Sequence, residues 1–127
     1  TLIFDNVVLV AADTNNDDHA EWVDRIRCRG RTFITINERD SALAASRMKL
    51  GEQQRARLGH YPYRLDSRQT VYADFTGQAH VGKSHAYFED KPLNNPRVRK
   101  FFEEALNGEF AEERMRFDVG RNMYRFK

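Results

Sequence analysis

The sequence predicts an α/β domain on a short, mostly parallel sheet flanked by helices, a three-layer sandwich fragment. Residues 3–12 contain Val7-Val8-Leu9-Val10, apolar on both faces of an extended chain, as in a strand buried between two layers. Two further runs, 32–37 (TFITIN) and 70–75 (TVYADF), are rich in β-branched and aromatic residues. Segments with helical spacing alternate with these runs, an order that implies parallel pairing through right-handed crossovers.

The elements follow in order. After the first strand, Asp13 to Asp18 (DTNNDD) is a loop of turn and capping residues. A helix over about 17–27 is expected, capped by Asp17 or Asp18 and ended at Gly30. Trp22, Val23 and Ile26 form its inner stripe, and Arg25, Arg27 and Arg29 sit at its negative end. His19 is expected on its wet face. After the second strand, Asp40 or Ser41 opens a helix, SALAASRMKL, with Leu43, Ala44, Met48 and Leu50 inward and Gly51 closing it. Residues 52–68 are polar, basic and broken by Gly59 and Pro62, an irregular excursion. The third strand leads into a long loop, 77–95. Asn95 then caps a helix whose first residue is Pro96, with Val98, Phe101, Phe102 and Leu106 inward and Gly108 as the stop. The tail FDVGRNMYRFK is a short strand or an arm, so the domain is drawn as 1–107 with 108–127 appended.

Composition removes several classes. The 127 residues are 40% hydrophobic and 12% aromatic, enough for one core and too much for wholesale disorder. No apolar run approaches the roughly 18 residues of a membrane span. Lys and Arg number 21 against 19 Asp and Glu, an excess too small to predict a nucleic-acid partner. One cysteine, Cys28, forms neither an internal disulfide framework nor a thiolate zinc cluster. The chain opens Thr1-Leu2-Ile3-Phe4, without an initiator Met, and is expected to be a piece of a longer protein.

Four constellations carry chemistry. Gly77-Gln78-Ala79-His80-Val81-Gly82-Lys83-Ser84 satisfies G-x-x-x-x-G-K-[ST] and follows a strand, the pattern of a phosphate-cradling loop with Lys83 and Ser84 on the nucleotide. The cradle also needs a helix directly after it, and Pro92 cuts that short. The second is positional. Asp40 follows the second strand and His85 the third. Loops at the carboxyl ends of neighbouring parallel strands share one face, so a carboxylate and an imidazole meet there. The acid then fixes the imidazole's tautomer, and the imidazole takes a proton from a nucleophile. Set against this, Asp40 before Ser-Ala-Leu is also an ordinary helix cap, and a loop His85 also serves by bonding a backbone carbonyl. Third, Asp13-x-Asn15-x-Asp17 resembles the opening of a calcium loop, with Asp18 where the turn glycine belongs and Asp24 where the closing Glu belongs. Fourth, His19, His60, His80 and His85 lack the i, i+4 partners of a helical metal site, although His80 and His85 share a loop near Asp74. The arginines from Arg25 to Arg31 read as a helix end facing water.

The segments FDNVVLVAADT, TFITINERDSALAASR, Arg57-Leu58-Gly59 and GKSHAYF, in that order, resemble the C-terminal half of an α/β-hydrolase, in the bacterial branch named only by its fold. The resemblance runs from Ile3 to Phe88, less clearly to Gly108. It implies that the three strands are the sixth, seventh and eighth of a hydrolase sheet, with Asp40 as triad acid and His85 as triad histidine. Some members carry the acid after the sixth strand instead, which is where Asp13 lies. The nucleophile implied is a serine on a G-x-S-x-G elbow upstream. Ser41, Ser46, Ser67 and Ser84 all lack its flanking glycines. The expectation is an esterase- or lipase-like fragment, inactive alone, that needs no cofactor and no metal. Its substrate in the intact parent is a small ester-like molecule. The alternatives are a nucleotide-binding module and a non-catalytic domain that dimerises through the bare edge of its first strand.

Overall fold

A computed structural model describes residues 2–48 and 56–127. Among these, five strands form one sheet: β1 (Val7–Leu9), β2 (Thr32–Ile36), β3 (Thr70–Asp74), β4 (Met115–Asp118) and β5 (Met123–Phe126). Three α-helices accompany them: α1 (Ala20–Val23), α2 (Ser41–Arg47) and α3 (Pro96–Leu106). The spatial order is β1-β2-β3-β5-β4. β1, β2, β3 and β5 run parallel, and β4 closes the sheet antiparallel to β5.

β2 is wholly buried and β3 is buried from Val71 to Asp74, and their side chains alternate between two cores, as the period of a strand requires. Phe33, Val71 and Ala73 face a core built from Val98, Phe101, Phe102 and Ala105 of α3. Phe75, just past β3, is its hub, with ring centroids 4.9 Å from Tyr87, 5.1 Å from Phe101 and 5.0 Å from Phe126. Ile34, Ile36 and Tyr72 face the other core, with Val23, Leu58, Leu65 and Met123.

α3 has the expected start: Asn95 Oδ1 accepts from the Arg97 and Val98 amides, and Pro96 occupies the first turn. Ala105 is buried where Leu106 was expected, because the stripe turns by one residue at the last turn.

Other expectations need correction. α1 is one short turn capped without a side-chain bond by His19, not a helix from Asp17 or Asp18 to Arg27, so no arginine lies in its last turn. Trp22 is exposed and only Val23 is buried, since so short a helix presents no stripe. His19 is buried, not on a wet face. Its Nδ1–H donates to Asn16 O (2.7 Å), which leaves Nε2 to accept from the Tyr72 hydroxyl (2.5 Å). Met48 ends α2 and is exposed, while the expected contributions of Leu50 and Gly51 lie outside the described residues. Residues 108–127 are built into the sheet: β5 pairs with Ala73 and Asp74, and Phe126 packs on Phe75. No helix among the described residues is long and apolar enough to cross a membrane.

Candidate functional site: an aspartate and a histidine at the carboxyl rim of the sheet

β2 ends at Ile36, and the chain turns through Asn37, Glu38 and Arg39 into α2. The turn closes when the Asp40 amide donates to Asn37 O (3.1 Å) and the Arg39 amide to Asn37 Oδ1 (3.1 Å). Asp40 has the non-helical backbone of a cap, and its Oδ1 accepts from the Leu43 amide (2.9 Å). Its second oxygen points away from the helix, at His85.

The loop after β3 brings the imidazole there. Gly82 has φ +49°, a left-handed conformation that glycine adopts without the Cβ clash other residues suffer. The carbonyls around it are then pinned from below. Asn37, itself fully buried, donates through Nδ2 to Gly82 O (3.1 Å) and Ser84 O (3.0 Å), and the Ser41 amide donates to Lys83 O (3.2 Å). The loop after one strand is thereby fastened to the turn after its neighbour.

The product is a contact of 2.9 Å between His85 Nδ1 and Asp40 Oδ2. Asp40 is fully buried, and the His85 side chain is 48% exposed. The Asp40 carboxylate already accepts the Leu43 amide, so it acts as acceptor to His85 as well, and Nδ1 carries the proton. Nε2 then holds the free lone pair. No hydrogen-bond partner engages it among the described residues. A buried carboxylate behind and a basic nitrogen in front is the arrangement a general base requires. Asp40 caps α2 through one oxygen and meets His85 through the other.

The other constellations resolve differently. Three N–H groups of the Gly77–Ser84 loop are used in turns: Gln78 to Phe75 O, Val81 to Gln78 O and Ser84 to Val81 O. The next helical element after Ser84 is a 3-10 turn, Lys91–Asn94. At the calcium-like loop the cation is an arginine. Arg57 Nε donates to Asp13 Oδ1 (2.7 Å) and its Nη1 to Asn15 Oδ1 (2.9 Å). Ser46 Oγ also donates to Asp13, so this acid belongs to α2 and the excursion rather than to His85. Among the described residues no group of three or more His, Cys, Asp or Glu converges on a metal position.

None of the four serines hydrogen-bonds His85. Ser41 Oγ meets Lys83 O, Ser46 Oγ meets Asp13, Ser67 Oγ meets Asp24 and Thr70, and Ser84 offers its carbonyl to Asn37. Reading the sequence singled out Asp40 and His85 but passed over Asn37. The signal was there: an asparagine just past a strand, three residues before an acidic cap, is a turn former with three side-chain bonds to give.

No protein-family model matches the chain, and neither the curated proteins nor the solved structures give a match.

Proposed function

We propose that Asp40 and His85 are the acid and the base of a serine-hydrolase-type triad that cleaves an ester or a similar acyl bond. His85 Nε2 takes the proton from a serine hydroxyl and returns it to the leaving group. Asp40 holds the tautomer and stabilises the imidazolium that forms. The serine and the oxyanion donors come from chain outside these 127 residues, entering as strands on the open edge of β1. The substrate is a small ester-like molecule, and the chain alone is inactive. No cofactor takes part in this chemistry.

The observation that carries the reading is the 2.9 Å bond from an exposed imidazole to a fully buried carboxylate. The four-segment resemblance to α/β-hydrolases supports it. The nucleotide reading gains no support from a loop followed by a 3-10 turn, Lys91–Asn94, where a phosphate cradle needs a helix directly after it. The test is p-nitrophenyl ester turnover by the protein made from its whole reading frame. His85→Ala is expected to reduce kcat on the order of 10⁴-fold. Turnover that survives this change sinks the assignment.

The open edge of β1 also bears on partners. Ile3 and Phe4, just before it, are exposed. If the 127-residue chain is produced alone, this edge is expected to pair with a second copy, and sedimentation showing a clean monomer counts against that.

A further inference from the structure

A cavity lies at the opposite end of the sheet from Asp40 and His85. It is about 950 Å³ and opens where β2 and β3 begin, at Thr32 and Thr70. Four arginines line it, Arg25, Arg27, Arg31 and Arg68, against one acid, Asp24. With Arg31 paired to Glu112, the other three arginines against Asp24 leave a local surplus equal to the formal charge of +2 carried by the whole chain.

These arginines are not capping a helix, since α1 ends at Val23. Arg25, Arg27 and Arg68 form no ion pair among the described residues. Arg31 is held in place by Glu112 (2.8 Å) and lies over the Phe110 ring (4.4 Å). Asp24 accepts from Ser67 Oγ (2.5 Å). Guanidinium groups stay charged at any physiological pH, and several crowded round one concavity repel each other. Their planar forks match phosphate oxygens two at a time. The far wall is aromatic: Phe117, exposed, packs on Tyr124 with centroids 4.8 Å apart.

We propose that this cleft binds a small molecule bearing adjoining phosphate groups, with Arg25, Arg27 and Arg68 on the phosphates and the Phe117–Tyr124 wall against an attached ring. A cavity of this volume is too large for a single phosphate and suits a nucleotide-sized ligand. The site is separate from the Gly77–Ser84 loop and independent of any activity at His85.

The test is calorimetric titration of the 127-residue chain with inorganic pyrophosphate and, separately, with ATP, both at low and at physiological salt. Binding is expected with at least one of them, weakening as salt rises. The double variant Arg25→Gln, Arg68→Gln is expected to weaken it about tenfold or more, and Arg99→Gln, an exposed charge on α3, to leave it unchanged. Phe117→Ala sorts the source. A nucleotide ligand loses its advantage over pyrophosphate, whereas an inorganic oligophosphate binds as before. Absence of binding by both probes overturns the proposal. So does an equal loss in Arg99→Gln, and so does a loss in Lys83→Ala with the double variant unaffected.

Discussion

Asp40 has two acceptor oxygens and each has its own donor, so its functions separate by substitution. Asp40→Asn keeps a side-chain oxygen for the Leu43 amide but puts an amide group where Nδ1–H needs an acceptor. The fold is expected to survive, with a change in stability under about 1 kcal/mol, while the ester turnover proposed for the protein made from its whole reading frame is expected to fall on the order of 10⁴-fold. Urea denaturation and p-nitrophenyl ester kinetics read the two effects separately. Asp40→Ala is expected to lose both. An acid with a folding role persists even where chemistry has lapsed; the half-exposed histidine is the residue whose loss leaves the fold untouched. In the two cores, burial pushes the Tyr72 hydroxyl up to about 12 and also raises that of Tyr87. Each folded tyrosine holds its proton more tightly than the unfolded one, whose value is near 10. Their stabilising contribution is complete below pH 10; that of Tyr72 is lost as pH climbs from 10 towards 12, and that of Tyr87 over a range that reaches higher. Alkaline titration followed at 295 nm is expected to show these two tyrosines ionising only together with unfolding.

Arg57-Leu58-Gly59 shows what sequence reading captures of an element and what it leaves out. The segment lies in an irregular stretch with no periodicity, yet each residue has a partner: Arg57 holds Asp13 and Asn15, Leu58 is fully buried, and Gly59 lies against the backbone of Ala11 and Ala12. A Cβ at Gly59 would meet Ala11 C at 2.9 Å, backbone that has no room to yield. Gly59→Ala is expected to cost about 1–3 kcal/mol by urea denaturation, and a wild-type midpoint would refute that packing. Strands β2 and β3 and helix α3 were legible because an apolar run and an Asn-Pro start are local signals. So was the meeting of Asp40 with His85, which follows from parallel order alone. The brevity of α1 was not, because Asp17 and Asp18 look like caps whether or not a helix follows. Nor was the role of Asn37, whose partners are 45 and 47 residues away.

At the scale of the molecule, the stretch after α3 is the part that composition hides most. β4 and β5 have four residues each, one of them an arginine in each strand, and their alternation is too short to separate a strand from an arm. Yet β5 lies beside β3 and delivers Met123 to one core and Phe126 to the other. A chain ending at Asn107 is expected to lose its cooperative thermal transition, because one edge of β3 is left bare and both cores are opened. A truncated chain that melts as sharply and as high as the full one would show that the tail is dispensable. The strand order β1-β2-β3-β5-β4 also sets a timetable. The strand that seals β3 is made after the other four described strands, so until β5 emerges from the ribosome the nascent sheet waits with a sticky flank. A message broken between the codons for Asn107 and Met123 yields a product fit for chaperones and proteases rather than for a folded domain.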